Sequence, residues 1–386
     1  MKCVDEYKKL FNQEPLDISF CPYRVCPIGA HVDHNLGKIT GFAIDKGINI
    51  AYGESDIITV KSLDFENSYS WDFDVDKKEN DWADYLRGAT YYLNKAYPLS
   101  KGINCVIEGS LPIGGLSSSA AVIISFIMAL CRVNNIKLKD RELIEIAFDA
   151  ENKFVGVNIG KLDQSCEVLC KKDYLLYLDT KDNSYELIKK PDNMKPFDIV
   201  IFCSGLEHSL VSSKYNDRVG ELKQAARILA DCAGIKKDNI LCRDVPREVF
   251  DKYKDQLDEI QKLRATHWFT EHERAELGAK AFAKGDIEEY GRLSFESGLS
   301  SIVNWQTGAP EQIRLYEIMK ETKGIYGGRF SGAGFKGCCI ALVNPEYTNQ
   351  VIEEVSKKYL ESYPQFVGKY AAYVCKSADG VKLWNV

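Results

Sequence analysis

No tract of basic residues occurs in this sequence, and its charge leans the other way. Its 50 lysines and arginines stand against 56 aspartates and glutamates, a net charge of −6. Proteins that hold nucleic acid or anionic lipid concentrate positive charge in a patch, so neither a polynucleotide nor a membrane is expected as a partner. Long apolar runs are missing too; the longest, residues 120–131, is too short to span a bilayer. The opening Met1-Lys-Cys-Val-Asp-Glu-Tyr-Lys-Lys is charged where a secretory leader would be apolar. Cysteine is plentiful at 13, but the number is odd, no CxxC pair occurs, and most sit in apolar surroundings such as Gly337-Cys-Cys-Ile340. That argues against a zinc site or a disulfide framework and predicts reduced, buried thiols in a cytoplasmic protein. No low-complexity segment or solenoid repeat is present. A P-loop is excluded as well, because none of Gly37-Lys38, Gly160-Lys161 and Gly368-Lys369 is followed by Ser or Thr.

What is present is an ordinary globular composition over 386 residues, a length that suggests two domains with substantial cores. Periodicity predicts a mixed α/β order. In the first half it places helices over 4–11, 82–96, 118–134 and 140–154, and strands over 24–29, 48–53, 57–62, 103–109 and 174–178. Residues 189–195 are charged and carry proline, so the boundary is set there, giving domains 1–193 and 194–386. The second half begins with a strand over 197–203. Helices follow over 216–232, 247–261, 271–284, 287–300 and 312–322, then a glycine-rich β segment over 327–343, a helix over 347–360 and a strand over 368–375.

The chain is organised around Leu111-Pro-Ile-Gly-Gly-Leu-Ser-Ser-Ser-Ala-Ala-Val122, a Gly/Ser loop feeding an apolar helix. A helix N-terminus presents unpaired N–H groups and the positive end of the helix dipole. A loop of this kind can hold a polyphosphate while a serine hydroxyl reaches its magnesium ion; alternatively, the serines only cap a buried helix. Three further clusters bear on chemistry. In Pro22-Tyr-Arg24-Val-Cys-Pro-Ile-Gly29-Ala30-His31-Val32-Asp33-His34-Asn35 a cation, two histidines and a carboxylate crowd one strand end. That density suits a reactive site, or else an Arg–Asp structural pair with hydrated histidines. In Glu151-Asn-Lys-Phe-Val-Gly156-Val-Asn-Ile-Gly160-Lys-Leu-Asp163-Gln164 two carboxylates can divide the work, Glu151 on magnesium and Asp163 facing the group to be activated, unless Asp163 only caps the next helix. The third, Gly327-Gly-Arg-Phe-Ser331-Gly-Ala-Gly334-Phe-Lys-Gly337, contains GxGxxG. A β-like segment follows it, not the helix that a dinucleotide turn requires, and no kinase signature accompanies it.

Together the clusters resemble the GHMP small-molecule kinases, and within them the galactokinase branch. The sugar signature is carried by Arg24-Val25, Ile28-Gly29, His31, Asp33 and Asn35, and the ATP motif by Gly115-Leu-Ser-Ser-Ser-Ala120. Gly160-Lys-Leu-Asp-Gln164 resembles the catalytic segment and Ser331-Gly-Ala-Gly334 the third motif. Trp82…Tyr85, Ser212-Ser-Lys-Tyr-Asn-Asp-Arg218 and Arg264-Ala-Thr-His267…Thr270-Glu271 add support, in the family's order from about residue 20 to about residue 340. The resemblance implies a two-domain α/β (α+β) GHMP kinase fold with its active site in the interdomain cleft. It implies a sugar 1-kinase using ATP and Mg2+, with a sugar or sugar acid as the other partner and no obligate protein partner evident. Asp163 would serve as base or orienting carboxylate for the C1 hydroxyl, with Arg24 holding it ionised and stabilising the moving phosphoryl group. Ser119 and Glu151 match magnesium ligands; Gly114, Gly115, Leu116, Ser117, Ser118 and Ala120 match the phosphate cradle, with Trp82 also on the nucleotide side. Asp33, Tyr215, His31, His34 and Gly160 match the sugar side.

One departure bears on the substrate. Galactokinases have Gly-Glu-His-Thr-Asp-Tyr where this chain has Gly29-Ala30-His31-Val32-Asp33-His34, so the glutamate that usually contacts the sugar's C6 hydroxyl is missing. A glutamate about 4 Å from a C6 carboxylate would cost on the order of several kcal/mol, whereas alanine brings no repulsion. With 297–308 and 330–339 this resembles the galacturonokinase subgroup and implies D-galacturonic acid as substrate, with His31 and His34 as candidate partners of its carboxylate. Galactose or another aldose is the alternative, as is a catalytically silent sugar sensor on the same scaffold.

Overall fold

The computed structural model describes residues 1–206, 212–334 and 337–382, the side chains of 212–214 excepted. Phe335 and Lys336 of the third glycine-rich motif, and the Ser212, Ser213 and Lys214 side chains of the supporting match, lie outside the described residues. Two sheets carry the fold. The first contains β1 (Asp17–Val25), β2 (Lys38–Ser55), β3 (Ile58–Ser62), β4 (Ser68–Trp71), β5 (Gly102–Gly109), β6 (Tyr174–Asp179) and β7 (Ser184–Lys189). Its path is β4-β3-β5-β2-β6-β7, with β1 also antiparallel to β2. The second contains β8 (Asp198–Cys203), β9 (Ile325–Phe330), β10 (Cys338–Val343) and β11 (Ala371–Cys375) in the order β11-β8-β10-β9. A short β12 (Ser377–Ala378) then returns to pair with β2, and Gly380 and Val381 donate to the carbonyls of Cys170 and Glu167, both at 2.7 Å.

Strand β2 is far longer than the predicted 48–53, because β1 lines one of its edges while β6, β12 and β5 share the other. Gly47 lies inside it: a Cβ there would come within 2.0 Å of the Cys21 carbonyl, so close pairing with β1 requires glycine. The predicted strand over 24–29 is corrected in the same way, since β1 begins at Asp17 and ends at Val25, leaving 26–29 as loop. The helix Ser118–Val133 packs on β1, β2 and the helix Asp84–Ala96 and is buried on nearly all sides, as its apolar sequence requires.

Helix prediction over 247–261 and 271–284 is also corrected. Helix Arg247–Tyr253 stops at a short turn, and one unbroken helix, Glu259–Ala283, follows. Asp258 begins it by accepting from Gln261 N at 2.7 Å while the Gln261 side chain accepts from Asp258 N, a capping box that the helix predicted over 247–261 runs across. The segment over 327–343 is two strands, β9 and β10, which confirms that no helix follows Gly337. All thirteen cysteines are free thiols and all but Cys232 are buried. Among the described residues, no helix is long and apolar enough to cross a membrane.

Candidate active site

The Gly/Ser loop leaves β5 through Gly114 and Gly115, at φ of +140° and +80°, and Ser117 at +64° turns it into the helix Ser118–Val133. No side chain caps that helix, and the buried Ser117 Oγ meets no partner. The reading of the serines as mere caps is thereby removed, and the first-turn amides are left for another acceptor. The third motif explains its glycines here. A Cβ on Gly337 would lie 2.4 Å from the Gly114 carbonyl carbon, and one on Gly332 would lie 2.9 Å from Gly115 Cα, so the β9–β10 connection presses backbone to backbone on the loop. Leu116 and Ala120 are buried beneath it, and Ser118 and Ser119 are half-buried at the helix start.

Arg24, near the end of β1, connects this loop to the carboxylates. Its Nε donates to Asp163 Oδ1 at 2.7 Å, its Nη1 to the Gly115 carbonyl at 3.1 Å, and its backbone N to the Leu116 carbonyl at 3.3 Å. Burial works against the Arg24 charge, but the Asp163 carboxylate more than offsets it and holds the guanidinium protonated. The Arg24 side chain is 5% exposed and that of Asp163 19%, so the carboxylate keeps one open side. Asp163 lies in the first turn of the helix Leu162–Leu169, whose start has no side-chain cap. It therefore does not serve as a cap. The expectation of an Arg–Asp pair within the first cluster is also corrected, because the partner of Arg24 comes from this later helix.

Glu151 lies in a π-helical turn, Ala150–Val155, and accepts from Ser119 Oγ at 2.7 Å and from Gln164 Nε2 at 2.9 Å. Burial and then the Asp163 charge push its carboxyl up to about 7. Asp33 is pushed up to about 6 by the same two causes, and accepts from Leu162 N at 3.3 Å. Its carboxylate occupies the space above Gly160, where a Cβ would come within 2.3 Å of Oδ2; this is why Gly160 carries no side chain. Tyr215 is half-buried, and desolvation followed by the Asp33 and Asp163 charges raises its phenol well above the usual range. Trp82 stacks on Phe65 at 5.3 Å and meets Tyr69 edge-on, its indole N–H buried and unpartnered. One turn on, Tyr85 is raised to about 12 by burial and then by Glu151.

The sugar-signature loop is held from the second half of the chain. Glu271 accepts from Gly29 N at 2.6 Å and from Ser297 Oγ at 2.5 Å, pairs with Arg274, and lies 3.7 Å from Arg329. His267 Nε2 lies 3.0 Å from the Ala30 carbonyl. Ala30 is buried in a cluster that includes Val32, Trp268 and Trp305. His31, at a left-handed φ of +62°, stacks on Trp305, and His34 packs between Tyr215 and Trp305. His31 is thus buried and His34 half-buried against rings, its two nitrogens shielded from solvent. Sequence reasoning missed the tie from Arg329 to Glu271 and Ser297 and missed Trp305; a basic residue two places before the Ser331 motif was the available signal for the first, and the second had none in local pattern.

Residues 84–171 match the GHMP kinases N terminal domain, residues 279–361 the GHMP kinases C terminal domain, and residues 5–54 the galactokinase galactose-binding signature. The chain is 35% identical to a galacturonokinase of Arabidopsis thaliana across 94% of its own length and 92% of the relative's. It is 32% identical to a galactokinase of Fusobacterium nucleatum subsp. nucleatum, covering 98% and 99% of the two chains. The fold superimposes on Lactococcus lactis galactokinase complexed with galactose with a TM-score of 0.89 at 27% identity, covering 99% and 98% of the chains. The Methanococcus jannaschii mevalonate kinase shares the fold at a TM-score of 0.65 and 20% identity, over 94% and 98%.

Proposed function

The chain belongs to the GHMP kinases, in their galactokinase branch, and from that premise we propose that this sugar 1-kinase phosphorylates the anomeric hydroxyl of D-galacturonic acid with ATP. The observation that carries the mechanism is the double engagement of Arg24, which touches both Asp163 and the Gly115 carbonyl of the ATP loop. One guanidinium joins the carboxylate that would meet the sugar to the loop that would hold the phosphates. In the proposed reaction the C1 oxygen attacks the γ-phosphorus, its proton passes to Asp163, and the bond from the γ-phosphorus to the β–γ bridging oxygen breaks to release ADP. Such transfers need positioning and charge neutralisation more than covalent chemistry, which Arg24 and the uncapped helix start supply. Asp163 guides proton loss as transfer proceeds. Asp33 and Tyr215 would hold sugar hydroxyls beside it.

ATP is the family's phosphoryl donor, and the donor set here suits magnesium. Ser119 Oγ and the Glu151 carboxylate offer hard oxygens 2.7 Å apart, and Gln164 Oε1 beside them is buried without a partner. Among the described residues no three His, Cys, Asp or Glu side chains converge as a metal cage. Magnesium held by one carboxylate, one hydroxyl, phosphates and water fits that arrangement. When bound, it would neutralise charge on the β- and γ-phosphates. Ser119→Ala and Glu151→Ala should therefore each raise the magnesium concentration needed for half-maximal turnover several-fold, with sugar binding much less affected. Magnesium titrations of both variants check this; profiles like that of wild type would remove the two residues as ligands.

The galacturonate assignment is supported by Ala30 in place of the usual glutamate and by the Arabidopsis thaliana relative's name. Galactose has the support of the bacterial relatives and of the galactose complex. Steady-state kinetics with galacturonate, glucuronate, galactose and arabinose decide between them: the highest kcat/KM belongs to galacturonate on this proposal, and a preference for galactose would overturn it.

A further inference from the structure

The chain places more unpaired polar atoms around His31 and His34 than the sugar signature accounts for. Trp305 is fully buried, and its Nε1–H, which can only donate, has no acceptor. His31 lies parallel to its ring at 5.6 Å and His34 edge-on at 5.5 Å. His31 Nε2 and both ring nitrogens of His34 are likewise buried without partners. Each buried polar atom left unpaired costs about 1–3 kcal/mol, so four of them on three touching rings mark a ligand site, not a folding device. His267 is outside the set, because its two nitrogens are engaged by Ser300 and the Ala30 carbonyl.

The surroundings fix the sign of the ligand. Arg218 donates Nε to the Trp305 carbonyl at 2.8 Å and Nη2 to the Gln306 carbonyl at 2.6 Å, bringing positive charge to the Trp305 backbone, and the Arg264 guanidinium lies over the indole at 5.9 Å. Burial, and then the Lys223 charge, keeps His34 neutral; burial, and then Arg329, does the same for His31. The nearest signature carboxylate, Asp33, is turned toward Leu162 N and the Gly160 face. Neutral imidazole and indole each offer one N–H, so the three rings present up to three donors and no charge. The other His34 nitrogen is an acceptor and is left for a sugar hydroxyl to donate to, whereas the N–H groups call for lone pairs, of which a C6 hydroxyl has two and a carboxylate about four on two oxygens.

We propose that Trp305, together with His34 and His31, forms the subsite for the C6 carboxylate of a hexuronic acid, binding it by neutral N–H donors within the field of Arg218 and Lys223. The proposal rests on the galacturonate reading above. Neutral donors bind the anion by charge-assisted hydrogen bonds without leaving a bare buried cation when the site is empty.

Trp305→Phe and His34→Phe test it, since each keeps a ring and removes the donor. Each should raise KM for galacturonate by about tenfold or more, with a smaller change in kcat, and lower the galacturonate-to-galactose ratio of kcat/KM by the same factor. Equilibrium binding of both sugars without ATP should show the same loss in ratio. If the ratio is unchanged, or if both sugars weaken equally, Trp305 and His34 do not read the carboxylate. Wild type itself separates the two levels: wild type that ignores galacturonate overturns the substrate proposal, whereas wild type that uses it beside variants of unchanged ratio overturns the subsite alone. Thermal melting shows which variants fold, and if Trp305→Phe does not, His34→Phe at the more open edge of the cluster gives the same measurement.

Discussion

Asp163→Asn should lower kcat by about 10²-fold or more while ATP still binds. Asparagine preserves the size and most of the hydrogen-bonding shape of the side chain, and Arg24 keeps its bond to the Gly115 carbonyl, so the ATP loop retains its anchor. What disappears is the charge that attracts and receives the C1 proton. The loss belongs in kcat, because the interaction strengthens as the proton leaves and contributes little to ground-state binding. A coupled ADP-release assay gives kcat, and calorimetry with magnesium–ATP gives nucleotide affinity. A variant with near-normal kcat would take Asp163 out of the mechanism. One that loses ATP binding in proportion would make the Arg24–Asp163 pair a scaffold for the loop rather than part of the chemistry.

Ala30→Glu carries the second large effect, because it tests the substrate through one residue. Two like charges about 4 Å apart repel by about 4 kcal/mol at an effective dielectric of about 20, and partial screening brings this to about 1–4 kcal/mol. The ratio of kcat/KM for galacturonate to that for galactose should then fall by about ten- to a thousandfold, galactose gaining an acceptor for its C6 hydroxyl. Salt should soften the discrimination only slightly if the subsite is closed to water. Ala30 is buried beside Val32 and Trp305, so the variant's melting temperature is measured alongside. A variant that treats galacturonate as wild type does would show that position 30 does not face C6, and would withdraw the physical basis for an acidic substrate.

Much of this protein is legible one stretch at a time. The Gly/Ser loop and its helix, the apolar run behind it and the strand after Gly337 follow from local periodicity and from what glycine and serine do at a helix start. The grouping of Arg24, Ser119, Glu151 and Asp163 as the proposed chemical set comes instead from the resemblance of their short, ordered motifs to those of the GHMP kinases. Where local reading failed, the deciding interaction was distant. β2 continues through Gly47 because β1 pairs across it, and Asp163 is freed from capping duty because Arg24, 139 positions earlier, claims its carboxylate.

The tertiary structure alone decided which groups are paired and which are left open. No pattern in residues 330–337 says that their glycines clear the way for the ATP loop; the contact at Gly114 and Gly115 does. Nothing around Trp305 marks it as different from a core tryptophan until His31 and His34 arrive from the far end of the chain and leave its N–H without an acceptor. Residue types and short spacings are written in sequence because caps, turns and periodicity act over a few residues. Satisfaction of a buried polar atom is not, because it depends on which distant neighbour comes within about 3 Å once the chain has packed.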